Sequence, residues 1–120
     1  MKNMQKKSCP VSNALTMLGG KWKINIIYQL SQKTTRFGEL RRLLGNVTQQ
    51  MLSKQLKELE LDGIINRKVF QVVPPKVEYS LTDFGTSVIP VLRSLDEWNR
   101  RNSRTISTKL NKNFEESRIR

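Results

Sequence analysis

The stretch from Thr48 to Asp62 holds the side chains of this sequence with the clearest capacity for specific hydrogen bonding. Thr48 can cap the start of a helix, and Gly63 suits the left-handed residue that follows a helix end. At a helical period the apolar residues of the stretch form one stripe, which consists of Leu52, Leu56 and Leu59. The polar side chains that point away from this stripe or flank it are Gln49, Gln50, Ser53, Lys54 and Lys57.

This polar face has the chemistry of a surface that reads DNA. Glutamine can bond adenine in the major groove, lysine can reach guanine or phosphate, and serine can serve either. We therefore interpret residues 48–62 as a DNA-recognition helix whose contact surface begins at Thr48. The alternative is an amphipathic helix whose polar face meets only water, and the stretch taken alone favours that alternative. The neighbouring elements shift the balance toward DNA.

The composition of the whole chain is strongly basic. Its 120 residues include 22 lysines and arginines against 10 acidic residues, for a formal charge of +12. This length allows one domain with a core, and the charge predicts a polyanionic partner, nucleic acid before a membrane surface. With no histidine and one cysteine, the chain cannot build a zinc site or a histidine-based catalytic triad. We predict a protein that is not an enzyme and needs no metal or cofactor.

The chain shows no sign of a membrane or secretory segment. No apolar run approaches the roughly 20 residues that span a bilayer. The first residues are basic but lack the apolar segment of a signal peptide, so we expect a cytoplasmic protein.

Two helices are predicted in the first 32 residues of the chain. Residues 1–8 are polar and basic, and we expect a frayed tail there. Pro10 suits the first turn of a short helix that ends at the glycine pair 19–20. A second helix is predicted over residues 21–32, although the β-branched run within it would also suit a strand.

A third helix is predicted over residues 36–44, with Thr34 and Thr35 as capping residues and Gly45 at its end. Two helices joined by a short turn that contains glycine indicate a helix-turn-helix, in which the second helix enters the major groove and the first crosses the backbone. Three arginines of the first helix could then reach phosphates, although isolated arginines are more often plain surface charges: Arg36, Arg41 and Arg42.

A β-hairpin, or wing, is predicted after the recognition helix. Residues 64–73 are rich in valine and isoleucine, and Pro74 and Pro75 interrupt them. Residues 76–81 alternate between polar and apolar side chains, as a half-buried strand does. The basic residues that could touch phosphates or the minor groove are Arg67, Lys68 and Lys76. An ordinary basic hairpin is the weaker alternative, because the wing directly follows the recognition helix.

A long C-terminal helix is predicted to begin at a Thr82 cap and to bend at Pro90. Its apolar residues follow a heptad-like spacing that suits helix–helix packing: Phe84, Val88, Val91, Leu95 and Trp98. A partner subunit is the simplest recipient of this seam, and the first helix of the same chain is the rival. From Asn102 onward we expect a loose tail or a fraying continuation of the helix.

In order and spacing, these short motifs resemble the HxlR-type group of winged-helix bacterial regulators, which are related to MarR-like proteins. The match covers roughly residues 9–101. Its pieces are Cys9-Pro10, Gly19-Gly20-Lys21-Trp22, Arg36-Phe37, Leu52-Ser53-Lys54-Gln55-Leu56, Leu59-Glu60, Asp62-Gly63, Arg67-Lys68-Val69-Phe70, Pro74-Pro75-Lys76-Val77-Glu78-Tyr79-Ser80-Leu81-Thr82, Gly85 and Trp98.

The fold class expected from the residues and from the resemblance is mainly α with a small β-hairpin (α+β), a winged helix-turn-helix with a long C-terminal dimerisation helix. We expect a single domain with its core at residues 9–101 and flexible tails at 1–8 and 103–120. The resemblance implies a homodimer that binds pseudo-palindromic double-stranded DNA as a transcriptional regulator, more often a repressor. The expected dimer interface consists of Val11, Leu15, Val88, Val91, Leu95 and Trp98. The alternatives are a protein-interaction module and a nonspecific nucleic-acid-binding protein.

Cys9 is the remaining candidate for chemistry. It precedes Pro10 and therefore sits at the start of the first helix, near Lys6 and Lys7, where a thiolate is favoured. The resemblance implies a role in sensing oxidants or electrophiles. Because the chain has no second cysteine, the routes are a disulfide to the partner subunit's Cys9, a mixed disulfide with a small thiol, or alkylation. The alternative is a small buried residue that packs the first helix.

Overall fold

The structure, a computed structural model, describes the backbone of residues 9–119 and the side chains of residues 9–112. The expected tail at residues 1–8, with Lys6 and Lys7, lies outside the described residues. In chain order the elements are α1 Pro10–Leu18, α2 Gly20–Gln32, β1 Thr35–Arg36, α3 Phe37–Leu44, α4 Gln49–Leu61, β2 Ile65–Phe70, β3 Lys76–Leu81, α5 Asp83–Thr86, α6 Ile89–Arg101 and α7 Ser103–Ile119. The predicted fold class is confirmed, with a three-stranded sheet in place of a two-stranded hairpin.

The chain divides into two compact units, and the boundary falls between Ser87 and Val88. The first unit has its core where α2 packs against α3 and α4, and where all three helices pack onto the sheet. The stripe predicted on α4 is confirmed, because its three leucines are at most 2% exposed. The residues buried with them are Ile26, Ile27, Leu40, Ile64 and Ile65.

The start of α3 differs from the prediction. The helix begins at Phe37 after an Arg36 N-cap that makes no side-chain capping bond, so the capping role given to Thr34 and Thr35 is wrong. Thr35 is instead buried in β1, where it pairs with Tyr79, and its hydroxyl donates a bond to the carbonyl oxygen of Lys33 at 2.9 Å.

The sheet has the order β1-β3-β2, and both of its strand pairs are antiparallel. The ladder of β2 and β3 closes with Phe70 opposite Lys76, so the first wing strand ends before residue 73, where the sequence placed its end. Beyond Phe70 the chain forms the wing tip, in which Val73 is fully exposed. A strand needs a partner for its backbone groups, and residues 71–75 have none in this ladder.

The single long C-terminal helix that the sequence predicted from Thr82 is wrong. A short helix, α5, ends at Thr86, and α6 begins at Ile89. Pro90 lies in the first turn of α6, where its missing N–H costs nothing, and so it starts a helix instead of bending one.

The last segment is helical. Asn102 ends α6, with its backbone N–H directed at the carbonyl oxygens of Asn99 and Trp98, and α7 follows as a separate helix. The sequence offered a loose tail or a continuation of the preceding helix for this segment. Within the described range no helix has both the length and the apolar character that crossing a bilayer requires.

Candidate nucleic-acid interface

Both ends of α4 are fixed by local bonds. The Thr48 hydroxyl accepts a hydrogen bond from the backbone N–H of Met51 at 3.0 Å, which confirms the predicted cap. At the other end Gly63 has φ of +75°, a left-handed conformation that costs an L-residue roughly 1–2 kcal/mol. A capped start and a glycine after the end hold the helix at a defined length.

The N-cap and the solvent-facing side of α4 contain the six residues that the sequence singled out for DNA. All six are exposed, and they are Thr48, Gln49, Gln50, Ser53, Lys54 and Lys57. Neither Lys54 nor Lys57 forms an ion pair with a described residue. Their ammonium groups therefore remain available to an external anion. Together with the amides and hydroxyls beside them, they form a surface that can donate bonds to base edges and phosphates.

The turn that precedes α4 is held by Arg41. Its Nε donates a hydrogen bond to the carbonyl oxygen of Val47 at 3.2 Å, and its own carbonyl oxygen accepts the backbone N–H of Gly45 at 3.2 Å. Val47 is 3% exposed, so the turn is also anchored by burial. Arg41 thus acts on the turn, whereas the sequence grouped it with residues that reach phosphate.

An ion pair that the sequence did not reveal fixes α4 against α2. Lys23 Nζ lies 2.8 Å from Glu58 Oε1, and the Lys23 side chain is only 13% exposed. A hydrogen bond from Lys23, with the charges of Lys23 and then Lys54 adding to it, lowers the pKa of the Glu58 carboxyl. Lys23 and Glu58 lie far apart in the chain, so no local pattern could have paired them.

Replacing Lys23 with methionine should therefore reduce stability in a pH-dependent way. A lowered carboxyl pKa means that the pair stabilises the fold above the ordinary value of 4.5 and that this contribution is lost as the pH falls below it. We expect urea denaturation to give Lys23→Met a lower free energy of unfolding than wild type at pH 7. The difference should shrink toward pH 3. The control is Lys33→Met, since Lys33 pairs with Glu39 at 3.2 Å but is 64% exposed. Equal losses in both variants, or a loss independent of pH, would contradict this prediction.

The wing carries its cations on two different faces of the sheet. Side chains alternate along β2, so Arg67 shares a face with Ile65 and its cross-strand partner Tyr79, which are buried toward α4. Lys68 lies on the opposite face. Arg67 therefore borders a groove of about 390 Å³ beneath α4, lined by Ser53, Leu56, Lys57, Glu60, Arg67 and Tyr79.

The opposite sheet face forms a separate basic cluster around Phe70 and Glu78. The Lys68 and Lys76 ammonium groups lie 4.9 and 4.4 Å from the centre of the Phe70 ring, and Lys76 Nζ is 3.7 Å from Glu78 Oε2. Arg36 is exposed and lies opposite Glu78 in the antiparallel register of β1 and β3. The structure thus brings Arg67 to α4, but it sets Arg36, Lys68 and Lys76 on the far side of the sheet.

The residues expected at a dimer interface fall in both units. On α1, Val11 is 65% and Leu15 is 59% exposed. On α6, about half of each predicted apolar side chain is exposed, at Val91, Leu95 and Trp98. Val88 differs, because it precedes α6 and is buried within the single chain, so it offers little surface to a partner.

Cys9 is the N-cap of α1 and is exposed, so the alternative of a buried packing residue is wrong. Hydrogen bonds from the backbone of Ser12 and then of Val11 lower the pKa of its thiol. The free N–H groups of a helix start provide these bonds to an anion. Among the side chains of residues 9–112, no group of three or more His, Cys, Asp or Glu is placed to hold a metal ion.

Alkylation of Cys9 should follow this lowered pKa. We expect the rate of modification by iodoacetamide, plotted against pH, to rise with a midpoint below that of the same chain unfolded in urea. The unfolded chain is the matched control, because it keeps the neighbouring sequence but loses the helix start. Mass spectrometry of quenched samples gives both profiles from the one cysteine of the chain. Coincident midpoints would show that α1 does not stabilise the thiolate.

Comparisons with known proteins place this geometry among regulators. The sequence profile of the HxlR-like helix-turn-helix family matches residues 17–107. YybR of Bacillus subtilis (strain 168), described as an uncharacterized HTH-type transcriptional regulator, is 47% identical over 97 residues, which cover 81% of this chain and 78% of that protein.

Solved structures agree with the sequence match. The redox regulator HypR in its reduced form superposes with a TM-score of 0.78 at 44% identity, covering 83% of this chain and 99% of that one. The oxidized form of HypR superposes with a TM-score of 0.74 at 48% identity, covering 78% of this chain and 97% of that one. The reduced form of the transcriptional regulator YodB from B. subtilis superposes with a TM-score of 0.68 at 35% identity, covering 77% of this chain and 91% of that one.

Proposed function

The chain belongs to the HxlR-like helix-turn-helix family of transcriptional regulators, and from this premise we propose that it represses transcription as a homodimer bound to a pseudo-palindromic DNA site. The observation that carries the proposal is the exposed side of α4, where Lys54 and Lys57 are free of ion pairs to described residues. This surface would enter the major groove, with Gln49, Gln50 and Ser53 reading base edges and the cations contacting guanine or phosphate.

The proposed dimer rests on exposed apolar surface in each unit. Side chains such as Leu15 on α1 and Trp98 on α6 are more than half exposed in the single chain. Apolar side chains of this size gain stability when a second subunit covers them. A two-fold axis would then present two copies of α4 to successive major grooves, about 34 Å apart.

The proposed switch is a change in the covalent state of Cys9. Its exposure and lowered pKa favour reaction, and its relative HypR is described as a redox regulator. Two Cys9 thiols, one from each subunit, would join in a disulfide, releasing two protons and passing two electrons to an oxidant such as a peroxide. Alkylation by an electrophile is the second route. Either product would alter the spacing of the two α4 helices.

The test is fluorescence anisotropy with reduced protein, near-physiological salt, and a labelled duplex from upstream of the protein's own gene. We expect binding at a stoichiometry of two chains per duplex, with little binding to a scrambled duplex of equal length and composition. Sedimentation of the protein alone should show the dimer. One chain per duplex, or a monomer at micromolar concentration, would contradict the dimeric proposal.

The switch has its own test, a comparison of wild type with Cys9→Ser. Diamide-treated wild type should bind the duplex differently from reduced wild type, whereas Cys9→Ser should bind alike with and without diamide. A response in Cys9→Ser equal to that of wild type would rule out the cysteine as the sensor.

A further inference from the structure

The groove between α4 and the β2–β3 hairpin has the composition of an anion site. Lys57 and Ser53 contribute from the helix, and Arg67 contributes from β2. Arg67, like Lys57, forms no ion pair with a described residue. Two cations from different elements that line one groove, together with a hydroxyl, can surround one anionic group.

Tyr79 gives the groove a polar group that lacks a protein partner. The residue is only 8% exposed, yet it lines the groove. No hydrogen bond joins its hydroxyl to any residue of the described chain, and no fully buried polar side-chain atom there lacks a partner. The hydroxyl therefore keeps some contact with solvent, and the groove is the open space that its residue lines. A nearly buried tyrosine hydroxyl normally has a partner, and here an external acceptor would supply it.

We propose that this groove is a binding slot for a phosphate group, in which the Tyr79 hydroxyl donates a hydrogen bond to the phosphate between Lys57 and Arg67. The inference rests on the proposed function, because the DNA backbone is one source of such a group. Arginine can hold both unesterified oxygens of a phosphodiester at once, and the Tyr79 hydroxyl can donate to a remaining lone pair on one of them. A volume of about 390 Å³ is ample for one phosphate.

Glu60 decides which phosphate fits. Its carboxylate also lines the groove, so Lys57, Arg67 and Glu60 together leave a single net positive charge. A phosphodiester of the DNA backbone carries one negative charge and matches that balance. A free phosphate or a phosphomonoester carries nearly two at neutral pH, and the carboxylate repels the second. The slot therefore favours a backbone phosphodiester.

The experiment compares Tyr79→Phe with wild type on the duplex that wild type binds. Loss of the hydroxyl from both subunits should weaken binding on the order of 10-fold, without changing the slope of affinity against salt, because no charge is removed. The melting temperature should not fall, because the hydroxyl has no partner in the described chain. The matched control is Tyr28→Phe, which removes a hydroxyl from a half-exposed tyrosine on α2 and should leave affinity unchanged.

Two charge variants are expected to change the affinity for the duplex in opposite directions. Glu60→Gln should tighten duplex binding, because it removes the repelling carboxylate. Arg67→Gln should weaken binding, and the salt slope should become shallower by about one for each phosphate that residue 67 no longer neutralises. If Tyr79→Phe equals wild type and Glu60→Gln gives no gain while wild type binds DNA, the slot is wrong and the proposed function stands.

A final arm separates the two sources of phosphate. Inorganic phosphate is titrated into the protein without DNA, with heat as the readout, for wild type and Tyr79→Phe. No binding in the millimolar range, together with the duplex results, assigns the slot to the DNA backbone. If wild type binds phosphate and Tyr79→Phe does not, while that substitution leaves duplex binding unchanged, the slot holds a free anion. That result would overturn its assignment to a phosphodiester. If wild type binds no duplex at all, the proposed function fails; phosphate binding that Tyr79→Phe abolishes would then leave the groove as an anion site, and no phosphate binding would mean that the slot is wrong as well.

Discussion

Replacing both Lys54 and Lys57 with glutamate is expected to weaken duplex binding by about 1,000-fold and to leave the fold intact. Both side chains are exposed on α4, so neither contributes to the core. In a dimer the double substitution changes four positions, each of which loses a cation that contributes about 1 kcal/mol to binding, and each factor of ten corresponds to about 1.4 kcal/mol. Anisotropy titrations at several salt concentrations measure the loss and the shallower salt slope that accompanies it.

Lys109→Glu with Lys112→Glu is the matched control for this charge reversal. These lysines have the same spacing, are exposed on α7, and change the net charge of the chain by the same amount. We expect this variant to lose far less affinity, because neither lysine belongs to the surface proposed to contact DNA and salt screens general repulsion. Equal losses in the two variants would mean that overall charge, and not the surface of α4, determines binding.

Replacing Gly85 with alanine is expected to destabilise the protein by about 3–5 kcal/mol. A Cβ atom at Gly85 would lie 2.1 Å from the carbonyl oxygen of Ile64 and 3.2 Å from its Cγ2 atom. Ile64 is 1% exposed, and its carbonyl oxygen accepts the backbone N–H of Thr82 at 3.0 Å. Thr82 in turn caps α5, with its hydroxyl accepting the Gly85 N–H at 2.9 Å. The added methyl group must therefore push α5 off β2 and break these bonds.

Gly38→Ala is the control, and it should raise the free energy of unfolding where Gly85→Ala lowers it. Its Cβ atom would meet nothing within 4 Å, and the residue is exposed within α3, where alanine is favoured over glycine by roughly 0.5–1 kcal/mol. Urea denaturation at 25 °C gives both free energies of unfolding. A Gly85→Ala protein within about 1 kcal/mol of wild type would show that α5 is not packed tightly on the start of β2.

The sequence was informative where structure depends on neighbours along the chain. The leucine stripe of α4, its Thr48 cap and the left-handed Gly63 are all local features, and each could be predicted from period and residue type. The solvent-facing residues followed from the same period. The proposal for DNA contacts therefore begins from residues that the sequence alone identified.

The sequence was uninformative where a contact joins distant segments. Strand β1 consists of two residues and exists only because Tyr79 and Glu78 pair with it. The ion pair of Lys23 with Glu58 likewise joins two helices that only folding brings together. The break between α5 and α6 was missed because a heptad-like apolar spacing continues across it, while the bonds that hold α5 to Ile64 are tertiary.

The wing shows a third kind of limit. Its cations could be identified by residue type, but their faces depend on the register of β2 against β3. That register places Arg67 with Tyr79 and Lys68 with Glu78. The role proposed for Tyr79 could not be predicted either, because an aromatic residue in an alternating strand indicates only a core position.

The most direct test of the central claim is selection of bound duplexes from a random library, followed by sequencing. If the chain binds as a homodimer with α4 in the major groove, we expect enrichment of two inverted half-sites. Their centres should lie about one helical turn, roughly 10 base pairs, apart. The Lys54→Glu, Lys57→Glu protein should enrich nothing from the same library. Retention of duplexes by wild type with no sequence enriched over the input would contradict the account, because the chain would then be a nonspecific binder of nucleic acid.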